Sequence, residues 1–255
     1  MSRRPSIAPS ALVQKRKLLG HGTRVEAGAR LFGEVQTGEG VHIASNAVLY
    51  GPVKIGPCSY IGPNCVVGFP SSKEIEALVA SRRIRQGLTS IGENCIVRSG
   101  TTIYSNVTLG NKVSFGHNVL VREKVMIGSE SKVGTNTVVD GSCTIGSWVS
   151  MQTGVYLCTY STVEDSVFLG PCCVFTNDRY VMQKPFKLIG PTVRRGASIG
   201  ANALLFPGVT VGEGALVGSQ AMVNVDVPPR TVYVGIPARK IRDLTDDWHS
   251  SLLKD

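Results

Sequence analysis

The stretch Ile91-Gly92-Glu93-Asn94-Cys95-Ile96-Val97-Arg98-Ser99-Gly100-Thr101-Thr102-Ile103-Tyr104-Ser105-Asn106-Val107-Thr108-Leu109 places an aliphatic residue at every sixth position: Ile91, Val97, Ile103 and Leu109. The phase continues through Phe115, Val121, Ile127 and onward to Phe175. It runs from Val25 to Val67 before this stretch and resumes from Val193 to Val223 after a gap. Of the 29 slots, only Thr37 is not apolar, whereas a 42% apolar chain without periodicity would fill roughly 12. Four residues after each aliphatic comes a small or β-branched residue, such as Ala47, Thr101 or Ala197. Asn or Gly recurs three residues after it, as at Asn64, Asn94, Asn136 and Gly208, and these residue types turn the chain at positive φ.

A period of six fits neither a helix nor a hairpin meander. It fits short strands joined by sharp corners, three strands closing a triangular coil of 18 residues and stacked coils forming parallel sheets. Nearly ten such coils give a prism roughly 46 Å long. Four of the seven cysteines, Cys65, Cys95, Cys143 and Cys173, are spaced by multiples of six, so they fill one slot as small apolar residues. There is no C-x-x-C pair to suggest a zinc ribbon or a thiol redox centre, and no metal site is expected.

The composition agrees with an ordered β protein. Gly makes up 29 of 255 residues, above the usual value of about 7%. The net charge of +9 favours anionic partners. With only 6% aromatic residues and no groove-reading motif, nucleic acid is not the expected partner. No apolar run approaches the roughly 18 residues of a membrane span, and no apolar segment follows the basic Met1-Ser2-Arg3-Arg4 start. The expectation is therefore a cytoplasmic protein that does not enter the membrane.

Two insertions interrupt the repeat, at about 68–90 and 176–192. In the first, Ser71-Ser72-Lys73-Glu74 reads as a capping box, with Ile75, Leu78 and Val79 at helical spacing. Arg82, Arg83 and Arg85 follow, either as residues suited to a helix C-terminus or as a clamp on a ligand phosphate. The second carries Asn177-Asp178-Arg179-Tyr180 and reads as a loop thrown from one corner of a rigid prism, where function concentrates. The β-helix is expected over residues 1–242, with the segment before Val25 closing one end. Residues 243–255 are expected as a helical tail, with Thr245 as a possible N-cap.

The repeat resembles the hexapeptide-repeat left-handed parallel β-helix of acyltransferases that use acetyl-CoA or acyl carrier protein. The resemblance supplies the hand of the coil. Gly196-Ala197-Ser198-Ile199-Gly200-Ala201-Asn202-Ala203, Pro207-Gly208-Val209-Thr210-Val211-Gly212 and Gly235-Ile236-Pro237-Ala238-Arg239-Lys240-Ile241 look like the C-terminal coils of sugar acetyltransferases. Asp165-Ser166-Val167-Phe168-Leu169-Gly170-Pro171 and Val174-Phe175-Thr176-Asn177-Asp178 look like the branch that N-acetylates amino sugars on nucleotide diphosphates. The resemblance implies a homotrimer that binds acetyl-CoA in clefts between neighbouring prisms and takes a nucleotide-linked amino sugar as acceptor. By the same likeness Ala201, Ser219, Asn224 and Arg242 would contact the coenzyme, with Arg239 and Lys240 as nearby phosphate contacts. Val225 stands where the family has a Lys. Gln152, Asn177, Asp178 and Arg179 would hold the acceptor, and Val181-Met182 replaces the Pro-Arg that often follows Tyr in the amino-sugar branch.

Acetyl transfer needs a neutral nucleophile, donors for an oxyanion, and a proton for the leaving thiolate. Of the four histidines, His117 occupies a mid-prism corner slot and is the candidate base. Counting 18 twice places it two coils from Thr153. The alternative reading of His117 is a corner residue that only hydrogen-bonds. An alcohol acceptor would need such a base more than an amine would, which leaves O-acetylation of a sugar or small alcohol open. A non-catalytic β-helix scaffold also remains open. A zinc carbonic anhydrase of this fold is not expected, because Arg122 stands five residues after His117, where a second His ligand is needed.

Overall fold

The computed structural model describes residues 4–82 and 86–253. The chain divides into two compact units, Met1–Val125 and Met126–Asp255. Both are built mainly of parallel strands two to four residues long, paired at an offset of 18, or of 36 and 30 across the first and second insertions. We number the three faces of a coil 1, 2 and 3 by the same 18-residue count in both units.

In the first unit, face 1 pairs Ser6–Ile7, Arg24–Val25, His42–Ile43 and Tyr60–Ile61 in that order. Face 2 pairs Leu12–Val13, Arg30–Phe32, Val48–Tyr50 and Val66–Phe69. Face 3 pairs Val35–Thr37, Val53–Ile55, Thr89–Ile91 and Thr108–Leu109. The second unit repeats the arrangement. Lys132–Val133, Ser150–Met151, Phe168–Leu169, Ser198–Ile199 and Leu216–Val217 form face 1. Val138–Val139, Tyr156–Leu157, Val174–Phe175, Leu204–Leu205 and Met222–Val223 form face 2. The parallel β-helix expected from the period is the fold of each unit.

Each slot has its physical role. The sixth-position aliphatics are buried, Phe115, Phe175, Ile103 and Leu205 completely. The corner slot takes positive φ, at Asn64 (57°), Asn94 (55°) and Asn136 (57°), where Asn tolerates the left-handed region. The small slot also satisfies backbone. Ser131 Oγ donates to Gly146 O at 2.8 Å, Cys65 Sγ to Arg98 O at 3.0 Å and Cys143 Sγ to Cys158 O at 3.1 Å. A small polar side chain there serves a carbonyl that the corner turns away from the ladder. Burial pushes the Cys143 and Cys173 thiols up to about 12, so these cysteines are inert filler.

Three features extend or correct the sequence reading. The repeat begins one coil earlier than Val25: Ile7 pairs with Val25 and Val13 with Leu31, so the first segment adds a coil, finished by a short 3-10 turn at Arg16–Leu18. The first insertion forms the expected helix at Ser72–Val79. It closes with Ser81 at φ 52° and the Arg82 N–H bonded to Ala77 O at 2.8 Å, a Schellman-type stop. Arg82 is exposed; Arg83 and Arg85 lie outside the described residues. The expected C-terminal helix does not form. Arg239–Asp243 is instead a strand antiparallel to Thr231–Val234, and residues 244–253 run on through turns. The carbonyls a helix there would use are taken by Arg230, whose guanidinium donates to Thr245 O at 2.9 Å and pairs with Asp246 at 3.3 Å. Farther along, Ser250 Oγ reaches Ser166 O at 3.3 Å, and Leu253 packs over Gly196, where a Cβ would sit 3.3 Å from its Cδ2.

An aromatic column marks the corner between faces 2 and 3 of the first unit. Phe32, Tyr50, Phe69 and Tyr104 stack at centroid distances of 5.6, 6.4 and 5.1 Å, and the Arg122 guanidinium lies 5.5 Å from the Tyr104 ring. Among the described residues no helix is long and apolar enough to cross a membrane.

Candidate functional site

In the second unit the sequence-predicted residues fall on two corners and one terminal strand. The corner between faces 1 and 2 carries Gln152, Ala201 and Ser219. The Gln152 N–H bonds Leu169 O at 2.9 Å, and the Gln220 N–H bonds Ala201 O at 2.8 Å, so Ala201 lies one coil below Ser219. Close stacking here demands glycine: a Cβ at Gly200 would sit 2.4 Å from Ser219 N, and one at Gly170 would sit 2.6 Å from Ala201 N. The corner is therefore a smooth strip of backbone and small side chains. Gln152 breaks the strip, and its Nε2 donates to Ser150 Oγ at 3.1 Å.

The corner between faces 2 and 3 carries Asn177, Asp178, Arg179 and Asn224. Thr176 follows the strand Val174–Phe175, just as Asn224 follows Met222–Val223 two coils on. Asn177 Nδ2 donates to Thr159 O at 3.1 Å, and its carbonyl accepts from the Ile189 N–H at 3.1 Å. Asp178 uses both carboxylate oxygens within its own loop, accepting from the Tyr180 N–H at 2.9 Å and the Met182 N–H at 2.8 Å. The structure thus uses Asn177 and Asp178 to fasten the loop, a role their sequence pattern did not announce. Beyond them Tyr180 packs edge-on to Phe186 at 5.3 Å, with the Lys184 ammonium 3.8 Å from the Tyr180 centroid. Val181 and Met182 hold the tip at φ 49° and 63°, and Arg179 is exposed beside them.

Asn224 carries the most telling atom. Its Oδ1 is buried and has no hydrogen-bond partner among the described residues. A buried acceptor left open costs about 1–3 kcal/mol, so a donor from a ligand would relieve it.

Arg239, Lys240 and Arg242 lie together on the strand Arg239–Asp243, all exposed. Lys240 Nζ is paired with Asp243 at 2.7 Å, and the Arg242 guanidinium lies 4.5 Å from the Trp248 centroid. Arg239 bonds the neighbouring Ala238 carbonyl at 2.8 Å. His117 belongs to the first unit, where its Nδ1 meets Ser99 Oγ at 2.8 Å. Sequence reasoning passed over Tyr156, whose hydroxyl donates to Asp140 Oδ2 at 2.9 Å; burial, then Asp140, pushes its pKa up to about 12. No group of three or more metal-ligating side chains occurs among the described residues.

Comparison with known proteins matches this architecture. The bacterial transferase hexapeptide family, a six-repeat unit, matches residues 34–68 and 88–123, and the hexapeptide repeat of succinyl-transferase matches residues 195–222. Hexapeptide repeats of these two kinds are thus matched in both units. Among curated relatives, a chloramphenicol acetyltransferase of Agrobacterium fabrum is 46% identical over 55 residues, covering 22% of this chain and 26% of that protein. The galactoside O-acetyltransferase of Escherichia coli is 28% identical over 100 residues, covering 37% and 49%. This hexapeptide-repeat chain spans half or less of the length of the curated relatives it matches. Among solved structures, an Arabidopsis UDP-N-acetylglucosamine acyltransferase covers 94% of the chain and 73% of its own at a TM-score of 0.54 and 15% identity, a likeness of fold alone.

Proposed function

We propose that this hexapeptide-repeat protein is an acetyl-CoA-dependent acetyltransferase that N-acetylates an amino sugar carried on a nucleotide diphosphate. The observation that carries the coenzyme assignment is the unsatisfied, buried Oδ1 of Asn224, at a position that resembles a coenzyme contact of sugar acetyltransferases. The Ala201–Ser219 strip, with its glycine-dictated close stacking, supports it as a surface along which a long, thin ligand can lie. In the reaction a C–N bond forms at the acceptor amine and the C–S bond breaks. The amine proton ends on the departing thiol.

The acting form is a homotrimer in this reading. Face 2 of the second unit turns Val138, Tyr156, Val174, Leu204 and Met222 outward, whereas face 3 turns out Met126 and then Thr144, Thr162, Thr192 and Thr210. An apolar row on face 2 and a mainly threonine row on face 3 support face 2 as the side that a second copy covers. The Ala201–Ser219 corner and the Asn177–Asn224 corner bracket that face, so packing copies against it brings unlike corners of neighbours together. Asn177, Asp178, Arg179 and Gln152 then serve the acceptor from the two sides of such a cleft. The protein acts in the cytoplasm, where acetyl-CoA is supplied.

Calorimetric titration of the full chain with acetyl-CoA, with the mass measured on the same sample, tests this reading. Saturable binding by a trimer, followed by thiol release with nucleotide amino sugars and not with simple galactosides, is the expected result. Thiol release only with alcohol acceptors would replace N- by O-acetylation. A folded trimer that binds no acetyl-CoA would overturn the enzymatic reading in favour of a scaffold.

A further inference from the structure

A second cluster of reactive side chains lies in the first unit, apart from every residue assigned above. His42 and Arg24 are neighbours on face 1, paired in register, with Ser6 one strand before them. Glu26 lies at the adjoining corner. Its Oε1 is 2.6 Å from His42 Nε2, and its Oε2 accepts from the Ser45 N–H at 2.9 Å and Ser45 Oγ at 2.7 Å. The Tyr60 ring packs edge-on against His42 at 5.3 Å. Ser6, Arg24, Glu26, His42 and Ser45 border an open depression of about 430 Å³.

The connectivity rules out one chemistry and points to another. In a nucleophilic triad the imidazole stands between hydroxyl and carboxylate; here the carboxylate stands between them, so Ser45 is not activated. Ser45, then His42, hold the Glu26 carboxyl below its usual range, so it is ionised at neutral pH and claims the N–H at His42 Nε2. Nδ1 is left for a ligand. It can donate to an oxyanion when the ring is charged, or accept from a P–O–H when it is neutral. Arg24 engages no carboxylate among the described residues, and it offers its fork on the next rung, about 4.8 Å away.

We propose that Arg24 and His42, with His42 oriented by Glu26, form an anion site for a phosphate group. The ligand is either free phosphate or a phosphomonoester whose remainder lies in the depression. Its donors are an arginine fork and an oriented imidazole on consecutive rungs of a rigid sheet, a spacing the β-helix fixes without loop ordering.

The test is a titration of the isotopically labelled full chain with inorganic phosphate, and separately with adenosine monophosphate, read by the ring resonances of His42. A saturable shift is expected. Arg24→Ala should weaken binding about tenfold, the loss of one charge-assisted bond. His42→Gln should lower phosphate stabilisation of the thermal midpoint, and Lys54→Ala, on face 3, should change nothing. Tighter binding of the nucleotide would identify the phosphomonoester; equal binding would identify free phosphate. A His42 ring unmoved by either probe, or one that shifts identically in the Arg24→Ala variant, would overturn the site.

Discussion

The two insertions leave the coil at the same place and are held in opposite ways. Each departs after a face 2 strand, Val66–Phe69 or Val174–Phe175, and rejoins at a face 3 strand, Thr89–Ile91 or Thr192–Val193. Each is fastened by one carboxylate. Glu74, 9% exposed, accepts from the Ser71 N–H at 2.6 Å, Ser71 Oγ at 2.8 Å, the Gly87 N–H at 2.9 Å and Ser105 Oγ at 2.5 Å. It therefore ties the start of the helix, the return segment and the coil itself. Asp178 bonds only its own turn. One insertion is bolted to the coil through a buried carboxylate although most of its helix is exposed; the other holds its tip by bonds within the loop. The second insertion can change its tip without disturbing the coils it leaves, because its order is local.

That contrast breaks most visibly at Glu74. Glu74→Ala strands four donors, the buried Ser105 hydroxyl among them, and should cost about 3 kcal/mol, a fall in thermal midpoint of about 6–12 °C. Asp178→Ala should leave the midpoint nearly unchanged and instead raise the acceptor KM. If both variants melt alike, the distinction between the insertions fails. The pH dependence has a definite sign. Burial pushes the Glu74 carboxyl up, but the bonds from Ser105, Ser71 and Gly87 outweigh it, and its pKa is lowered overall. A lowered folded-state pKa stabilises above the ordinary carboxylate range, and that stabilisation is lost as pH falls through the lowered value. Wild type should thus lose its advantage over Glu74→Ala in acid.

Asn224 sharpens the comparison from the catalytic side. Asn224→Leu removes an unsatisfied buried acceptor while keeping the branching and heavy-atom count of the side chain, so the ligand-free protein should gain about 1 kcal/mol while acetyl-CoA affinity falls about tenfold. Calorimetry and a denaturant melt read the two effects separately. A loss of stability without loss of affinity would make Asn224 a structural residue. A smaller effect is expected at Val181, a β-branched residue at φ 49° and 77% exposed. Val181→Gly should raise the midpoint by the strain relieved, about 1 kcal/mol, and lower turnover if the loop is held in that shape for the acceptor. An unchanged midpoint would show that the loop relaxes this strain in solution.

The legibility of the chain divides along similar lines. The buried aliphatics, the Asn corners, the cysteine filler and the capping box at Ser71–Glu74 could be read directly, because each depends on contacts repeated every six or 18 residues or made within one turn. The first coil escaped because Ile7 and Val13 are only half-buried with a neighbour on one side, and its third side is a 3-10 turn. The tail was misread because its local helix signal competes with Arg230, a partner 15 residues away. The His42–Glu26–Ser45 cluster had a signal that went unused: residues 18 or 19 apart are neighbours on adjacent coils. No count of sixes could reveal that the Asp178 carboxylate is consumed by its own loop or that Asn224 Oδ1 is left open.

The smallest expected effect is at His117, and it bears on the acceptor. Its Nδ1 is fixed by Ser99 Oγ at 2.8 Å, and the residue is exposed at a corner of the first unit. An amine that reaches the thioester unprotonated attacks without a strong base, whereas an alcohol loses a factor of about 10²–10⁴ when its general base is removed. His117→Ala should therefore lower kcat less than about tenfold for an amino-sugar acceptor, with no change in the acetyl-CoA titration. Ser99→Ala, which frees the same ring nitrogen, should do less still. A hundredfold or greater loss in kcat with His117→Ala, at unchanged midpoint and coenzyme affinity, would make His117 the base and move the acceptor to the alcohol class.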